Sequence, residues 1–256
     1  MYKVVIPSYK RSDILQEKTL KLLQNTGISP DDIYIFVADK KEYREYQNKL
    51  KSNSYNKLII GEVGINKQRN YIRRYFPPGE NLFFIDDDIQ NILLLQKNNK
   101  LKPITQLNTL IQKGFQLLHK QNASLLGVYP SHNNYFMSHT LSSGLYFICG
   151  GAYWNINNHN PHSFLKLKVK DDYERTILEY KQYGKVLRFN NIALDTHIYK
   201  GKGGTSEYRT PELMNKESQY LATTYPQYIQ INPNRKSGYK ELRFKRQKRN
   251  HTIKLQ

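Results

Sequence analysis

The hydrophobic pattern alternates between two periods along the N-terminal part of the chain. Short apolar runs at Tyr2–Pro7, Ile33–Ala38, Leu58–Gly61 and Leu82–Ile85 have the length of strands, and polar residues follow each one. Helical patterns lie between them. Asp13 opens the first, with Gln16 three residues on as a capping box, Leu15, Leu20, Leu22 and Leu23 as its apolar face, and Gly27 as its stop. Lys41–Leu50 reads as a polar helix, and Ile65–Phe76 as a helix stopped by Pro77, Pro78 and Gly79. Strands alternating with helices predict a parallel, doubly wound α/β sheet.

The pattern is more mixed further on. It predicts a helix over Thr105–His119, a strand over Ser124–Tyr129 and a polar, aromatic loop over His132–Ser138. A strand is expected over Gly144–Cys149, closed by Gly150 and Gly151. A helix opens at Lys170 and runs to about Tyr183, a short strand covers Gly184–Arg188, and a last helix covers Thr210–Thr224. The expected fold class is α/β, a mostly parallel central sheet flanked by helices with a mixed C-terminal half. One domain is expected over residues 1–234, with halves at 1–90 and 91–234, followed by a basic segment at 235–256.

The sharpest polar switch is at Asn81–Gln90, where Leu82–Ile85 run straight into Asp86, Asp87 and Asp88. Ligands of open α/β sheets sit at the carboxyl ends of strands. Three adjacent carboxylates repel one another, and a cation relieves that cost. Carboxylate oxygens suit Mg²⁺ or Mn²⁺, and Mg²⁺ leaves positions for water and phosphates. A solvated acidic turn is the plainer alternative. Ser8 with Arg11, Asp39, and Asp86–Asp88 all follow strands, so they are expected to meet at one edge of the sheet. No Gly-x-Gly-x-x-Gly follows the first strand and no glycine-rich run ends in Lys-Ser or Lys-Thr, which excludes the two common glycine-loop phosphate cradles.

Charge adds a partner. The chain has 256 residues, a net charge of +19 and a pI near 9.7, which points to a polyanion such as nucleic acid. Arg235–Gln256 is strongly basic and interleaved with Tyr239 and Phe244, suiting either a solvated tail or phosphate contacts with base stacking. Cys149 is the only cysteine, which fits a reducing compartment and reads as a small buried hydrophobe. No run is long enough to span a bilayer, and the N-terminus has no signal-peptide pattern, so a soluble, cytoplasmic protein is expected. Lys200–Gly204 suits a lid over a phosphate-bearing ligand or a plain linker.

Seven ordered motifs together resemble the TET-associated glycosyltransferase family: Ile6–Arg11, Phe36–Asp39, Gly64 with Gln68–Asn70, Phe84–Asp88, Gly150–Gly151, Lys170–Glu174 and Gly203–Gly204. The resemblance covers Tyr2 to about Phe244. It implies a GT-A-like (Rossmann-type) fold, a UDP-sugar donor, Mn²⁺ or Mg²⁺, and sugar transfer to a hydroxymethylated pyrimidine, 5-hydroxymethylcytosine first, in DNA. It implies a phage or viral setting, hence a host cytoplasm. By the same resemblance Ser8, Arg11 and Asp39 contact the nucleotide, Gln68 and Arg69 lie near ribose or phosphates, and Asp87 lies nearer the sugar. Gly203 and Gly204 belong to the donor-binding set, Asp86 and Asp88 are the metal carboxylates, and His197 is a further ligand. Asp171 and Asp172 form the acidic pair beside the acceptor. The family has Glu where this chain has Asp171, which makes Asp172 the candidate base. Tyr135, Phe136, Tyr153 and Trp154 are candidate base-stacking rings. A GT-A enzyme acting on a glycan or protein, and a non-catalytic DNA-binding module, are the rival readings.

Overall fold

The computed structural model describes residues 1–196, 203–234 and 239–255. The chain begins with β1 (Lys3–Pro7), then helix α1 (Ser12–Leu15), a π turn (Gln16–Leu20) and α2 (Lys21–Asn25) in unbroken succession. There follow β2 (Ile33–Val37), α3 (Lys40–Lys49), β3 (Lys57–Ile60), α4 (Ile65–Tyr75) and β4 (Asn81–Ile85). Next come β5 (Asn91–Leu95), β6 (Leu101–Pro103), α5 (Leu107–Gln121), β7 (Leu125–Tyr129), β8 (Thr140–Gly144) and β9 (Ala152–Ile156). The remainder is α6 (Asp171–Tyr183), β10 (Val186–Asp195), α7 (Pro211–Thr224), β11 (Ile229–Ile231), β12 (Leu242–Phe244) and β13 (His251–Lys254).

One sheet runs through both halves in the order β13-β8-β10-β7-β9-β4-β1-β2-β3, with the β5–β6 hairpin attached to β10. β1 pairs in parallel with β2 and β4, and β2 with β3. β9 then runs antiparallel to both β4 and β7, so the mixed half begins where the acidic strand ends. The uninterrupted apolar run in β4 reflects burial on both faces. Phe83 and Ile85 join a large cluster with Ile6, Ile35 and Trp154, while Leu82 and Phe84 join Val5, Phe36 and Tyr153 on the opposite side. The alternation fixes register, since a one-residue slip would exchange the two faces.

Four expectations from the pattern need correction. Gln16 makes no capping box: no side chain caps α1, and Gln16 Oε1 accepts from Lys51 N instead. The apolar run 145–149 is not a strand; β8 ends at Gly144 and β9 starts after the glycine pair. Its backbone is satisfied by side chains. Leu145 N donates to Asn250 Oδ1 (2.7 Å), Ile148 N to Thr176 Oγ1 (3.4 Å), and Arg175 donates to the carbonyls of Ile148 and Cys149. β10 runs on to Asp195, well past the short strand expected. The basic C-terminal segment is docked where it is described: β12 pairs with β11, and β13 covers the edge of β8.

Candidate active site

A cavity of about 940 Å³ opens at the carboxyl ends of the parallel strands. Six carboxylates (Glu62, Asp86, Asp87, Asp88, Asp171, Asp172) and three arginines (Arg11, Arg69, Arg209) line it. It is therefore acidic in a chain of net charge +19. Ser8 and Arg11 enter from the loop after β1, the three aspartates from the tip of β4, and Asp171 and Asp172 from the first turn of α6.

Two arginines divide the acids between them. Arg11 Nη1 lies 3.3 Å from Asp87 Oδ1 and 3.1 Å from Asp88 Oδ2. Arg69, only 4% exposed, donates through Nη1 to Asp171 and through Nη2 to Asp86 Oδ1 (3.1 Å) and the Gly150 carbonyl (3.0 Å). Asp87 is 5% exposed and also accepts from Ser8 Oγ at 2.6 Å. Asp86 Oδ2 and Asp88 Oδ1 have no hydrogen bond to a described residue. One free oxygen on each of two carboxylates suits a hard cation that takes its other ligands from water and phosphate. Among the described residues no three His, Cys, Asp or Glu side chains are placed to hold an ion together.

The charge excess is visible in the acidities. Burial, and the neighbouring Asp171 charge, push Asp172 up to about 6, with Arg175 opposing. Burial raises Asp87 to about 6, against the pull of Arg11. Asp86 is raised too, by its recessed position first, with Arg69 opposing and Asp88 and Asp87 adding to the rise. Its side chain keeps 33% exposure, and water moderates that shift. Burial also raises the Cys149 thiol, which lines the cavity as a neutral group.

The loop bearing Ser8 and Arg11 is held by α3. Tyr46, fully buried, shares a hydrogen bond with Ser8 Oγ (2.7 Å) and accepts from Arg11 N (3.0 Å), while Glu42 accepts from Lys10 N (2.9 Å). Neither residue was singled out from the sequence. The signal was available: Glu42 and Tyr46 stand four residues apart on one face of a polar helix. Thr19, in the π turn, was also missed. Its Oγ1 donates to the Asp86 carbonyl (2.8 Å) and accepts from Ile89 N (3.0 Å), clamping both ends of the acidic turn. The turn geometry that aims it leaves no sequence signature.

The other expected residues are placed as follows. Gln68 lines the cavity, but its Oε1 accepts from Glu62 N (2.8 Å), leaving its amide N–H groups for a ligand. Asp39 is exposed and caps α3 through Lys41 N and Glu42 N, beside the lining residue Ala38. Asp172 Oδ1 accepts from Tyr173 N (2.8 Å), whereas Asp171 is taken up by Arg69. His197 lies outside the described residues, as do residues 200–202 of the expected lid. Tyr153 and Trp154 are core residues at 2% and 0% exposure, Trp154 donating to the Ile111 carbonyl (3.0 Å).

Gly203 and Gly204 pack directly on the Arg11 loop. Gly204 N donates to the Tyr9 carbonyl (3.0 Å), and Arg11 Nη2 donates to the Gly203 carbonyl (3.1 Å). Gly203 has φ +96°, and a Cβ there would lie 2.8 Å from the Lys10 carbonyl oxygen. Gly203→Ala is therefore expected to lose about 1–3 kcal/mol in urea denaturation. Gly27→Ala is the control. Gly27 has φ +76° with nothing within 4 Å of a new Cβ, so it carries the dihedral cost alone. Equal losses in the two variants would remove the crowding argument.

The fold and the acidic strand tip define a GT-A-type α/β scaffold. Among solved structures the chain is similar to S. aureus TarS 1-349 in complex with UDP-GlcNAc, at 16% identity and TM-score 0.55, over 86% of this chain and 66% of that one. It is also similar to the mannosyltransferase PcManGT from Pyrobaculum calidifontis in complex with GDP-Man and Mn²⁺, at 12% identity and TM-score 0.52, over 88% and 63%. The chain thus spans just under two thirds of the length of each. No protein-family model matches it, and no curated protein matches it.

Proposed function

We propose that the protein is a metal-dependent glycosyltransferase that moves a sugar, glucose first among candidates, from a UDP-sugar to 5-hydroxymethylcytosine in DNA. The observation that carries the donor half is the acid-lined cavity at the strand tips of a strongly basic chain. A nucleotide diphosphate would be repelled by the excess of carboxylates over arginines in that lining unless a cation came with it. Asp86 and Asp88 would hold Mn²⁺ or Mg²⁺. Bound there, the ion would neutralise charge on the departing diphosphate. The nucleotide-sugar complexes of the two structural relatives support this reading.

The chain's own residues supply the rest. Arg11 and Arg69 offer guanidinium groups beside the phosphates' place, and Gln68 offers an amide. Arg11 and Ser8 both bond Asp87 and hold its carboxylate toward the sugar, Tyr46 fixing Ser8 in turn, while Gly203 and Gly204 pack over Arg11. Asp172 takes the proton of the acceptor hydroxyl, because Asp171 is already engaged by Arg69. The DNA half rests on net charge and on the motif resemblance. Among the described residues no helix is long and apolar enough to cross a membrane.

The test is incubation with radiolabelled UDP-glucose, Mn²⁺ and DNA containing or lacking 5-hydroxymethylcytosine. Label should enter only the modified DNA; equal labelling of ordinary DNA would refute the acceptor.

A pH profile tests the base. With Asp172 raised to about 6, kcat/KM should climb about tenfold per pH unit below that value and level off above it. The sign on stability is opposite. The folded chain holds this proton more tightly than the unfolded one, so ionising Asp172 costs stability as pH rises from about 4 to about 6. A flat rate profile from about pH 5 to about pH 8 would exclude Asp172.

A further inference from the structure

The loop between β7 and β8 carries a surface feature that the donor site does not use. Tyr135 and Phe136 are 84% and 63% exposed, and their rings meet edge to face with centroids 4.9 Å apart. The residues just before them, Ser131 to Asn134, line the cavity. The rings are held out rather than loosely hung. Asn133 Oδ1 accepts from Tyr135 N (3.1 Å), Asn134 Nδ2 donates to the Asn99 carbonyl (2.6 Å), and Met137 is buried against Leu95 and Ala193. The bond to Asn99 ties this loop to the tip of the β5–β6 hairpin, on which Lys97, Lys100 and Lys102 are exposed and form no ion pair with a described residue.

We propose that Tyr135 and Phe136 form a stacking wedge that holds DNA across the cavity mouth, while Lys97, Lys100 and Lys102 take phosphates of the same strand. This deepens the acceptor half of the reading above and rests on it. Aromatic faces accept any base, and lysines accept any phosphate, so the surface grips DNA without selecting sequence. Chemistry on a base inside a duplex requires that base to leave the stack. An apolar wedge beside the opening supports the step left behind when the target enters the cavity. Rings also stack on sugars, but three lysines beside them favour a polyanion over a neutral glycan.

The experiment is fluorescence anisotropy of a labelled duplex carrying one 5-hydroxymethylcytosine, titrated with the full chain between about 50 and about 200 mM salt. Tyr135→Ala/Phe136→Ala should weaken binding about tenfold or more, the loss of one base stack, with the salt slope kept. Lys97→Ala/Lys100→Ala/Lys102→Ala should flatten the plot of log K against log salt by about 0.9 for each phosphate no longer neutralised. All five side chains are exposed, and a thermal melt confirms that each variant is folded. Wild-type affinity and slope in both variants, or no DNA binding by the parent, overturns the proposal. So does an aromatic variant that loses affinity for an oligosaccharide but not for DNA. Calorimetry with UDP and Mn²⁺, run in parallel, reports on the donor site separately and distinguishes its failure from that of the DNA surface.

Discussion

Asp88→Asn is expected to lose at least about 10²–10³-fold in sugar transfer, the scale set by removing several kcal/mol of charge stabilisation from the leaving group. The fold should survive. The Asp88 side chain is 22% exposed, and its one described partner is Arg11, which keeps Asp87 and the Gly203 carbonyl. The stability change is accordingly under about 1 kcal/mol. Mn²⁺ should raise the melting temperature of the parent and leave that of the variant unchanged, since only a folded site binds the ion. Retained transfer would remove the cation from the reading altogether.

Arg69→Met should have the largest effect on stability, about 3–5 kcal/mol at neutral pH. It deletes a buried cation and leaves Asp86 and Asp171 without their shared partner. The loss should shrink toward about pH 5. Asp86 already holds its proton more tightly than an ordinary carboxylate, and without Arg69 it would do so further, so acid neutralises the stranded charge. Urea denaturation at about pH 5 and about pH 7.5 measures both numbers. A loss below about 1 kcal/mol at neutral pH would mean that the carboxylates are compensated elsewhere.

The parallel half was readable because its signals are local. Each of β1, β2 and β4 is an apolar run closed by polar residues, and the helices after β1 and β3 carry their own stops at Gly27 and at Pro77–Gly79. The convergence of Ser8, Arg11 and Asp86–Asp88 followed from that topology alone. Residues 145–149 were misread because composition carries burial but not pairing. That run is as apolar as a strand, yet its partners are Asn250, Thr176 and Arg175, remote in sequence. β5, β6, β9 and the C-terminal strands were missed for a related reason: each is defined by the strand it pairs with, not by a local run. Within the site, the residue types were legible and the pairings were not. Nothing local says that Arg69 takes Asp171 and so leaves Asp172 the less engaged of two adjacent acids.

The π turn at Gln16–Leu20 gives the acidic tip a remote adjustment. Thr19 reaches the Asp86 carbonyl from a stretch of helix widened by the extra residue of a π turn. Deleting one residue from that turn, or restoring regular α winding by design, would rotate the hydroxyl off the strand tip and release both backbone bonds at once. The proposed cation affinity would then change in engineered variants whose every carboxylate is intact, through a helix whose own residues line no part of the cavity.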